Sequence, residues 1–164
     1  MKHLILFFLL ISFNSFSQKD LHQLLKKYNT ENVPYIFVDS LKTIASDVVL
    51  LDAREPKEFN VSHLKNAICV GYDDFNITKT TKILSADKNI KIVVYCSLGI
   101  RSENVAEQLK KAGFKNVYNL YGGIFEWKNK KNTVVNSKNI PTNKVHTFNK
   151  EWSKWLLKGE KIYE

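Results

Sequence analysis

Residues 92–102 read IVVYCSLGIRS, and this stretch decides the fold. It begins with consecutive apolar residues, which is typical of a strand buried on both faces of a parallel sheet. After Ser102, apolar residues recur at the intervals of an α-helix and form one stripe, which consists of Val105, Ala106, Leu109 and Ala112. The stretch therefore predicts a strand, a tight loop that holds Cys96, and a helix with Ser102 as its N-cap and Gly113 as its C-terminal cap.

Cys96 is the candidate nucleophile of that loop. A helix that begins directly after a strand leaves backbone N–H groups unpaired, and its macrodipole adds partial positive charge there. Such a cradle binds anions and lowers the pKa of a thiol, whose thiolate is the nucleophilic form. Arg101 would offer a fork of donors to an anionic substrate. The structural alternative is that Arg101 pairs with a nearby acid, such as Glu103 or Asp52.

The rest of the chain alternates strands with helices. Strands are predicted at 35–38, 47–52, 67–70, 90–95 and 117–120, and helices at 20–28, 40–45, 56–60, 102–112 and 125–127. Residues 75–84 are predicted to form a loop and a helix. This order predicts an α/β fold with a central parallel β-sheet and helices on both faces. Catalytic loops of such sheets lie at the carboxyl ends of strands, where Cys96, Asp52 and Arg54 all fall.

Four motifs in this order resemble the single-domain rhodaneses. They read LDAREPKEF at 51–59, SHLKNA at 62–67, YCSLGIRS at 95–102 and LYGGIFEW at 120–127. The resemblance covers residues 33–130. It implies a rhodanese-like fold and a sulfurtransferase that moves a sulfane sulfur from a donor such as thiosulfate to cyanide or a thiol through a Cys96 persulfide. The second motif of the family usually reads GHIPGA, so this chain departs from it at Ser62, Lys65 and Asn66.

The predicted site is built around catalytic Cys96. Its substrate- and persulfide-binding loop is expected to consist of Ser97, Leu98, Gly99, Ile100, Arg101 and Ser102. Asp52 and Arg54 are candidates for supporting the pocket. They could form an ion pair that holds the loop in place, or Arg54 could face the pocket. Glu55 and Glu58 are expected to decorate a helix start, where acids suit the dipole.

No cofactor other than the covalent persulfide is expected, and no metal site, because the histidines and cysteines have no recognisable ligand spacing. His63 is expected to be a hydrogen-bonded structural residue. Cys69 lies in a short apolar stretch and is expected to be a buried, inert thiol that does not pair with Cys96.

Two other functions stay open. A rhodanese-like domain can be a non-catalytic sulfur carrier or a docking module, with Trp152 and Trp155 of the C-terminal tail as a binding surface. Cysteine-dependent phosphatases and arsenate reductases use a similar cradle. Their loop is one residue longer, because a tetrahedral oxyanion needs more room, and the six residues from Cys96 to Arg101 therefore favour sulfur chemistry.

The two ends of the chain are expected to lie outside this domain. Residues 1–17 have the charged, apolar and small-residue order of a cleavable signal peptide, which predicts export to the periplasm and a mature start at Gln18. Residues 18–32 form an N-terminal extension. Residues 131–164 form a basic C-terminal tail with a short helix predicted within 149–157. No stable membrane insertion is expected of the mature chain.

The formal net charge of the chain is +9. The segment from Lys128 to Lys144, both included, contains five lysines and no acid, arginine or aromatic residue, which favours a solvated basic rim over a nucleic-acid surface. The predicted partners are a small anionic sulfur donor, a thiol or cyanide acceptor and a protein that docks on the tail.

Overall fold

The computed structural model describes residues 20–163 of the chain. The predicted signal peptide and the proposed start at Gln18 lie outside these residues. The elements are α1 (20–28), β1 (Tyr35–Ile36), α2 (Val38–Ile44), β2 (Val49–Asp52), α3 (Pro56–Val61), β3 (Ile68–Cys69), α4 (Ile77–Ile83), β4 (Lys91–Tyr95), α5 (Arg101–Lys111), β5 (Asn116–Leu120) and α6 (Gly123–Asn129).

The central sheet has five parallel strands in the order β1-β5-β4-β2-β3. Strand β4 lies in the middle because residues 92–95 are apolar on both faces and fully buried. Val93 and Tyr95 point into one apolar core with α1, α2 and α6, whereas Ile92 and Val94 point into a second core with α5. The predicted α/β fold with helices on both faces is therefore confirmed.

Two predicted helix starts are wrong. Helix α5 begins at Arg101 after Ile100, so Ser102 is not its N-cap, and the Ser102 hydroxyl is used at the site instead. Helix α2 begins at Val38 and takes over the end of the predicted strand, so Ser40 lies inside it. By contrast, α3 begins at Pro56 as predicted, because the fixed backbone angle of proline suits the first helical position.

The C-terminal tail is folded against the domain rather than appended to it. It contains β6 (Val134–Val135), β7 (Pro141–Thr142), β8 (Lys144–His146), a 3-10 helix (Trp152–Trp155) and β9 (Glu160–Ile162). Strands β6 and β7 pair antiparallel, and β8 and β9 pair parallel. The backbones of His63 and Val135 exchange two hydrogen bonds of 2.8 and 2.9 Å, which tie the tail to the segment after α3.

The tail also contributes to the core. Val134, Val145 and Leu156 are buried in the same apolar cluster as α1 and α6. No helix within residues 20–163 is long and apolar enough to cross a lipid bilayer.

Candidate active site

Cys96 follows β4 directly and lies at the carboxyl edge of the sheet. The loop that it opens is fixed to α6, because the Ile124 N–H donates to the Cys96 carbonyl at 2.9 Å and the Phe125 N–H to the Ser97 carbonyl at 3.2 Å. A side chain at Gly123 would place its Cβ 2.3 Å from the Cys96 carbonyl oxygen. Only glycine permits this approach, and the Gly-Gly turn at 122–123 therefore positions the nucleophile.

The Cys96 thiol is surrounded by groups that stabilise its anion. The side chain is buried, and its Sγ accepts the Gly99 N–H at 3.1 Å and lies 3.5 Å from the Ser102 hydroxyl. Burial raises the pKa of Cys96, but the charge of Arg101 and the hydrogen bonds from Ser102 and Gly99 outweigh it, so that the pKa lies below its ordinary value. The loop thus holds a thiol that ionises readily.

Asn119 on β5 orients both the loop and the Ser102 hydroxyl. Its Nδ2 donates to the Gly99 carbonyl at 2.8 Å and to Glu103 at 2.9 Å, so its Oδ1 faces Ser102 at 2.7 Å. A hydroxyl carries one hydrogen and therefore donates to either Asn119 or Cys96 at one time. An ionised Cys96 competes for that hydrogen because hydrogen bonds to charged acceptors are stronger.

Arg101 is paired with Glu58 of α3. Its Nη1 donates to Oε2 at 2.7 Å and its Nη2 to Oε1 at 2.8 Å, and Nη2 also donates to the Ser97 hydroxyl at 3.1 Å. Burial raises the pKa of Glu58, but the hydrogen bonds and charge of Arg101 and the charge of Arg54 lower it below its ordinary value. The carboxylate is therefore ionised and neutralises Arg101.

This pairing adds to what was expected of Glu58 and Arg101. Glu58 lies at the helix start, as predicted, and completes the capping box of α3 with Glu55, but it is also fully buried beneath Arg101. The acidic partner of Arg101 is neither Glu103 nor Asp52. It is a residue 43 positions away in sequence, on a different helix.

Asp52 and Arg54 form a fully buried ion pair with an Nη2–Oδ2 distance of 2.7 Å. Arg54 also donates to the Ser62 carbonyl at 2.6 Å, and its guanidinium does not face the cavity beside Cys96. Its link to the site is electrostatic, because its charge contributes to the low pKa of Glu58. The pair thus lies behind the site and fastens the segment after α3.

His63 is a structural residue, as predicted. Its Nδ1 lies 3.0 Å from the Phe59 carbonyl, and its ring stacks on the Phe59 ring with centroids 3.8 Å apart. Cys69 is half-buried on β3, and both it and Cys96 are free thiols. Burial raises the pKa of Cys69 above its ordinary value, which makes this thiol the less reactive of the two.

A cavity of about 190 Å³ opens beside the Cys96 sulfur, and we call it the Cys96 cavity. Its lining consists of Cys96, Ser97, Leu98, Ile100, Arg101, Phe148 and Trp152. Two predicted loop residues, Gly99 and Ser102, do not line it but contact the sulfur. Phe148 and Trp152 come from the C-terminal tail and were not predicted as site residues, because no motif marks them.

The described residues contain no cluster of three histidine, cysteine or acidic side chains that could bind a metal ion. A larger open groove of about 690 Å³ lies between α1 and the tail, lined in part by Leu24, Lys27 and Trp155. The described residues that line it include no cysteine, serine or histidine, in contrast to the cavity that contains Cys96.

Comparison with known proteins assigns the family. The model of the rhodanese-like domain matches residues 17–130. The chain belongs to the rhodanese-like family. The resemblance carried by the four sequence motifs is thereby confirmed, and the match ends before the part of the tail that supplies Phe148 and Trp152.

The curated relatives align with this chain over only a short part of their own length. A tRNA uridine(34) hydroxylase of Hamiltonella defensa is 42% identical over 83 residues, which cover 49% of this chain and 23% of that protein. The protein of the same name from Escherichia coli K12 is 36% identical over 86 residues, covering 51% of this chain and 25% of the relative. The chain thus spans about a quarter of the length of these relatives.

Solved structures confirm the fold. A rhodanese-related protein of Thermoplasma volcanium superposes with a TM-score of 0.55 at 28% identity, over 62% of this chain and 97% of that one. A thiosulfate sulfurtransferase of Pseudomonas aeruginosa gives a TM-score of 0.60 over 85% of this chain and 26% of its own length, but at 16% identity this likeness concerns the fold alone.

Proposed function

We propose that this protein is a sulfurtransferase that carries a sulfane sulfur on Cys96. The observation that carries the proposal is the environment of Sγ, which is buried, close to the Gly99 N–H and the Ser102 hydroxyl, and subject to the charge of Arg101. These groups lower the pKa of the thiol and so favour the thiolate, and no general base is needed once the thiolate has formed.

The reaction consists of two displacements. The Cys96 thiolate attacks the outer sulfur of the donor, a new S–S bond forms, and the donor's S–S bond breaks with its electron pair on the leaving group, which is sulfite when the donor is thiosulfate. The Cys96 persulfide keeps one negative charge. An acceptor thiolate or cyanide then attacks the outer sulfur and returns Cys96 as a thiolate, so no oxidant or reductant is consumed.

The geometry favours sulfur transfer over phosphate chemistry. The terminal nitrogens of Arg101 already bind Glu58 and Ser97, so no free fork is directed at the oxygens of a phosphate. The six-residue loop also leaves room for a sulfur atom rather than for a tetrahedral oxyanion. A persulfide formed without turnover would indicate the alternative function of a sulfur carrier.

The test is thiocyanate production from thiosulfate or an organic thiosulfonate and cyanide. Cys96→Ser should abolish it, and Cys69→Ser, which removes the other free thiol of the described chain, should retain it. Intact-mass analysis after donor treatment should show the gain of one sulfur atom in the Cys69→Ser protein but not in Cys96→Ser. Equal rates for the wild type and Cys96→Ser would reject the proposal.

A second candidate substrate is tRNA, because the curated relatives carry the name tRNA uridine(34) hydroxylase. The net charge of +9 would favour binding to a polyanion, whereas the apolar residues of the Cys96 cavity favour a small organic substrate. Gel-shift titration with bulk tRNA at low and physiological salt separates the two candidates. Binding that persists at physiological salt would support tRNA as the substrate.

We also propose that the protein is exported to the periplasm through the signal peptide predicted at residues 1–17. The support is the sequence pattern alone, and export would separate the protein from tRNA. Mass spectrometry of the protein made in its own host should find a mature start at Gln18. A chain that retains Met1 in the cytoplasm would contradict export and favour the tRNA candidate.

A further inference from the structure

We propose that the C-terminal tail makes the Cys96 cavity selective for a monoanionic sulfane-sulfur donor with an aromatic or alkyl body, in preference to dianionic thiosulfate. This inference rests on the proposed sulfur transfer and names its substrate class. It follows from the walls of the cavity, from its charge and from the way the tail is held.

The walls of the cavity are mainly apolar. Leu98 and Ile100 of the loop form one part, and Phe148 and Trp152 of the tail form another, with Cys96 among them. An apolar cavity of about 150 Å³ is large enough to hold benzene. The Cys96 cavity, at about 190 Å³, therefore has room for one aromatic ring beside the sulfur.

The charges at the cavity disfavour a dianion. Arg101 is the one cation among the described residues that line it, and Glu58 neutralises that cation through two hydrogen bonds. Once Cys96 is a thiolate, these three groups sum to a single negative charge. A dianionic donor is repelled by such a site more strongly than a monoanion.

The nearby imidazole does not reverse this balance. The Nδ1 of His146 lies 4.0 Å from the Glu58 carboxylate, and it accepts the Phe148 N–H at 3.1 Å, a bond that uses the lone pair to which a proton would add. Both oxygens of Glu58 accept hydrogen bonds from Arg101, and no other cation is found among the described residues that line the cavity.

The aromatic wall is built into the fold. Phe148 has a left-handed backbone (φ 65°) that is held by its bond to His146, and its ring lies 5.4 Å from the Arg101 guanidinium. The backbone N–H of Trp152 donates to Oδ1 of Asn149 at 2.9 Å, and the Trp152 ring packs edge to face against Tyr28 of α1. Phe148 remains 47% exposed, so part of it is accessible to a donor.

Benzenethiosulfonate and thiosulfate are the matched probes, because they differ by the replacement of one anionic oxygen with a phenyl ring. The Cys96 thiolate attacks the terminal sulfur of benzenethiosulfonate, the S–S bond of the donor breaks, and benzenesulfinate leaves with the electron pair. One negative charge stays on the persulfide and one leaves with the sulfinate, so the step is balanced.

The experiment measures the second-order rate constant of Cys96 persulfide formation with each donor in the Cys69→Ser background. The ratio of the two constants is compared between proteins, so that the intrinsic reactivity of the donors cancels. Phe148→Ala should lower the ratio for benzenethiosulfonate over thiosulfate about tenfold, as loss of an apolar pocket contact does. Phe148→Tyr should retain it.

Phe37→Ala is the matched control, because Phe37 is a similarly exposed phenylalanine that does not line the cavity. It should leave the ratio unchanged. An unchanged ratio in Phe148→Ala, or an equal loss with both donors, would overturn the inference while the sulfurtransferase proposal stands. If neither donor forms a persulfide on Cys96 in the parent protein, the proposed function fails as well.

A second measurement uses the protein without any substitution in the tail, so its result does not depend on whether Phe148→Ala folds. Benzenesulfonate and sulfate have no sulfur to transfer, and they compete with the donor for the cavity. Benzenesulfonate should inhibit persulfide formation at a concentration at least tenfold lower than sulfate. Equal inhibition by the two anions would contradict an apolar pocket.

Discussion

Glu58 and Arg101 form a two-bonded ion pair in which the acid is fully buried and the base lines the reactive cavity. The pair joins α3 to the start of α5, so it closes the loop that carries Cys96. It also sets the net charge of the site, because the negative charge of Glu58 offsets the positive charge of Arg101.

Replacing Glu58 with Ala should destabilise the protein by about 3 kcal/mol, because removal of one partner leaves the other largely buried and unpaired. The Arg101 side chain is 18% exposed, which places the expected loss at the low end of values for buried pairs. Urea unfolding measures this change. Glu151→Ala, at an exposed glutamate, is the control and should shift the free energy of unfolding by less than about 0.5 kcal/mol.

The pH dependence of Cys96 reactivity should follow its lowered pKa. The thiolate is the reactive form, so alkylation by iodoacetamide should rise through a midpoint below that of an ordinary thiol and then level off. Ser102→Ala removes one donor to the anion and should move the midpoint to higher pH. The measurement uses the Cys69→Ser background, and a midpoint at the ordinary value in the parent protein would contradict a preformed thiolate.

Gly123→Ala should impair both folding and persulfide formation. A Cβ at this position would lie 2.3 Å from the Cys96 carbonyl oxygen, so the loop would have to move. Gly71 is the matched control: it also has a positive φ, of 70°, but an added Cβ there meets nothing within 4 Å. Gly71→Ala should cost about 1 kcal/mol from backbone strain alone and leave the rate unchanged. Equal effects of the two substitutions would show that the contact with the loop is unimportant.

Asp52→Asn should reduce stability by about 3 kcal/mol, because it leaves the charge of Arg54 buried without its carboxylate. The midpoint of Cys96 alkylation should move little, since neither residue contacts the sulfur. Urea unfolding and the pH profile of alkylation, measured on the same sample, separate these effects. A large shift in the alkylation midpoint would assign Asp52 a direct part in activating the thiol.

The central strand and the Cys96 loop were predictable from sequence because their signals are local. A run of buried apolar residues, a tight turn with Gly99 and an apolar helical stripe all lie within one short stretch. The partner of Arg101 was not predictable in this way, because Glu58 is brought to it by the packing of α3 on the loop. An acid in the first turn of a helix is commonly exposed to solvent, so no sequence signal indicated that Glu58 is buried.

The tail was the least predictable part of the site. Its strands are two or three residues long, too short for a periodic pattern, and the residues predicted to form a helix contain only the 3-10 turn Trp152–Trp155. Phe148 lies outside both. Its place at the cavity depends on the tie between His63 and Val135 and on the pairing of β8 with β9, which are contacts made only in the folded chain.

The tie between His63 and Val135 has a practical consequence for anyone who trims the protein to the boundaries of its family. A fragment that stops at residue 130 would keep the nucleophile and its amide donors but lose Phe148 and Trp152, so the sulfur would meet bulk water on that side. We expect such a fragment to discriminate less between sulfur donors than the intact chain does. Because the two walls are encoded far apart in sequence, substitutions in the tail can change one wall while the loop that holds Cys96 stays as it is.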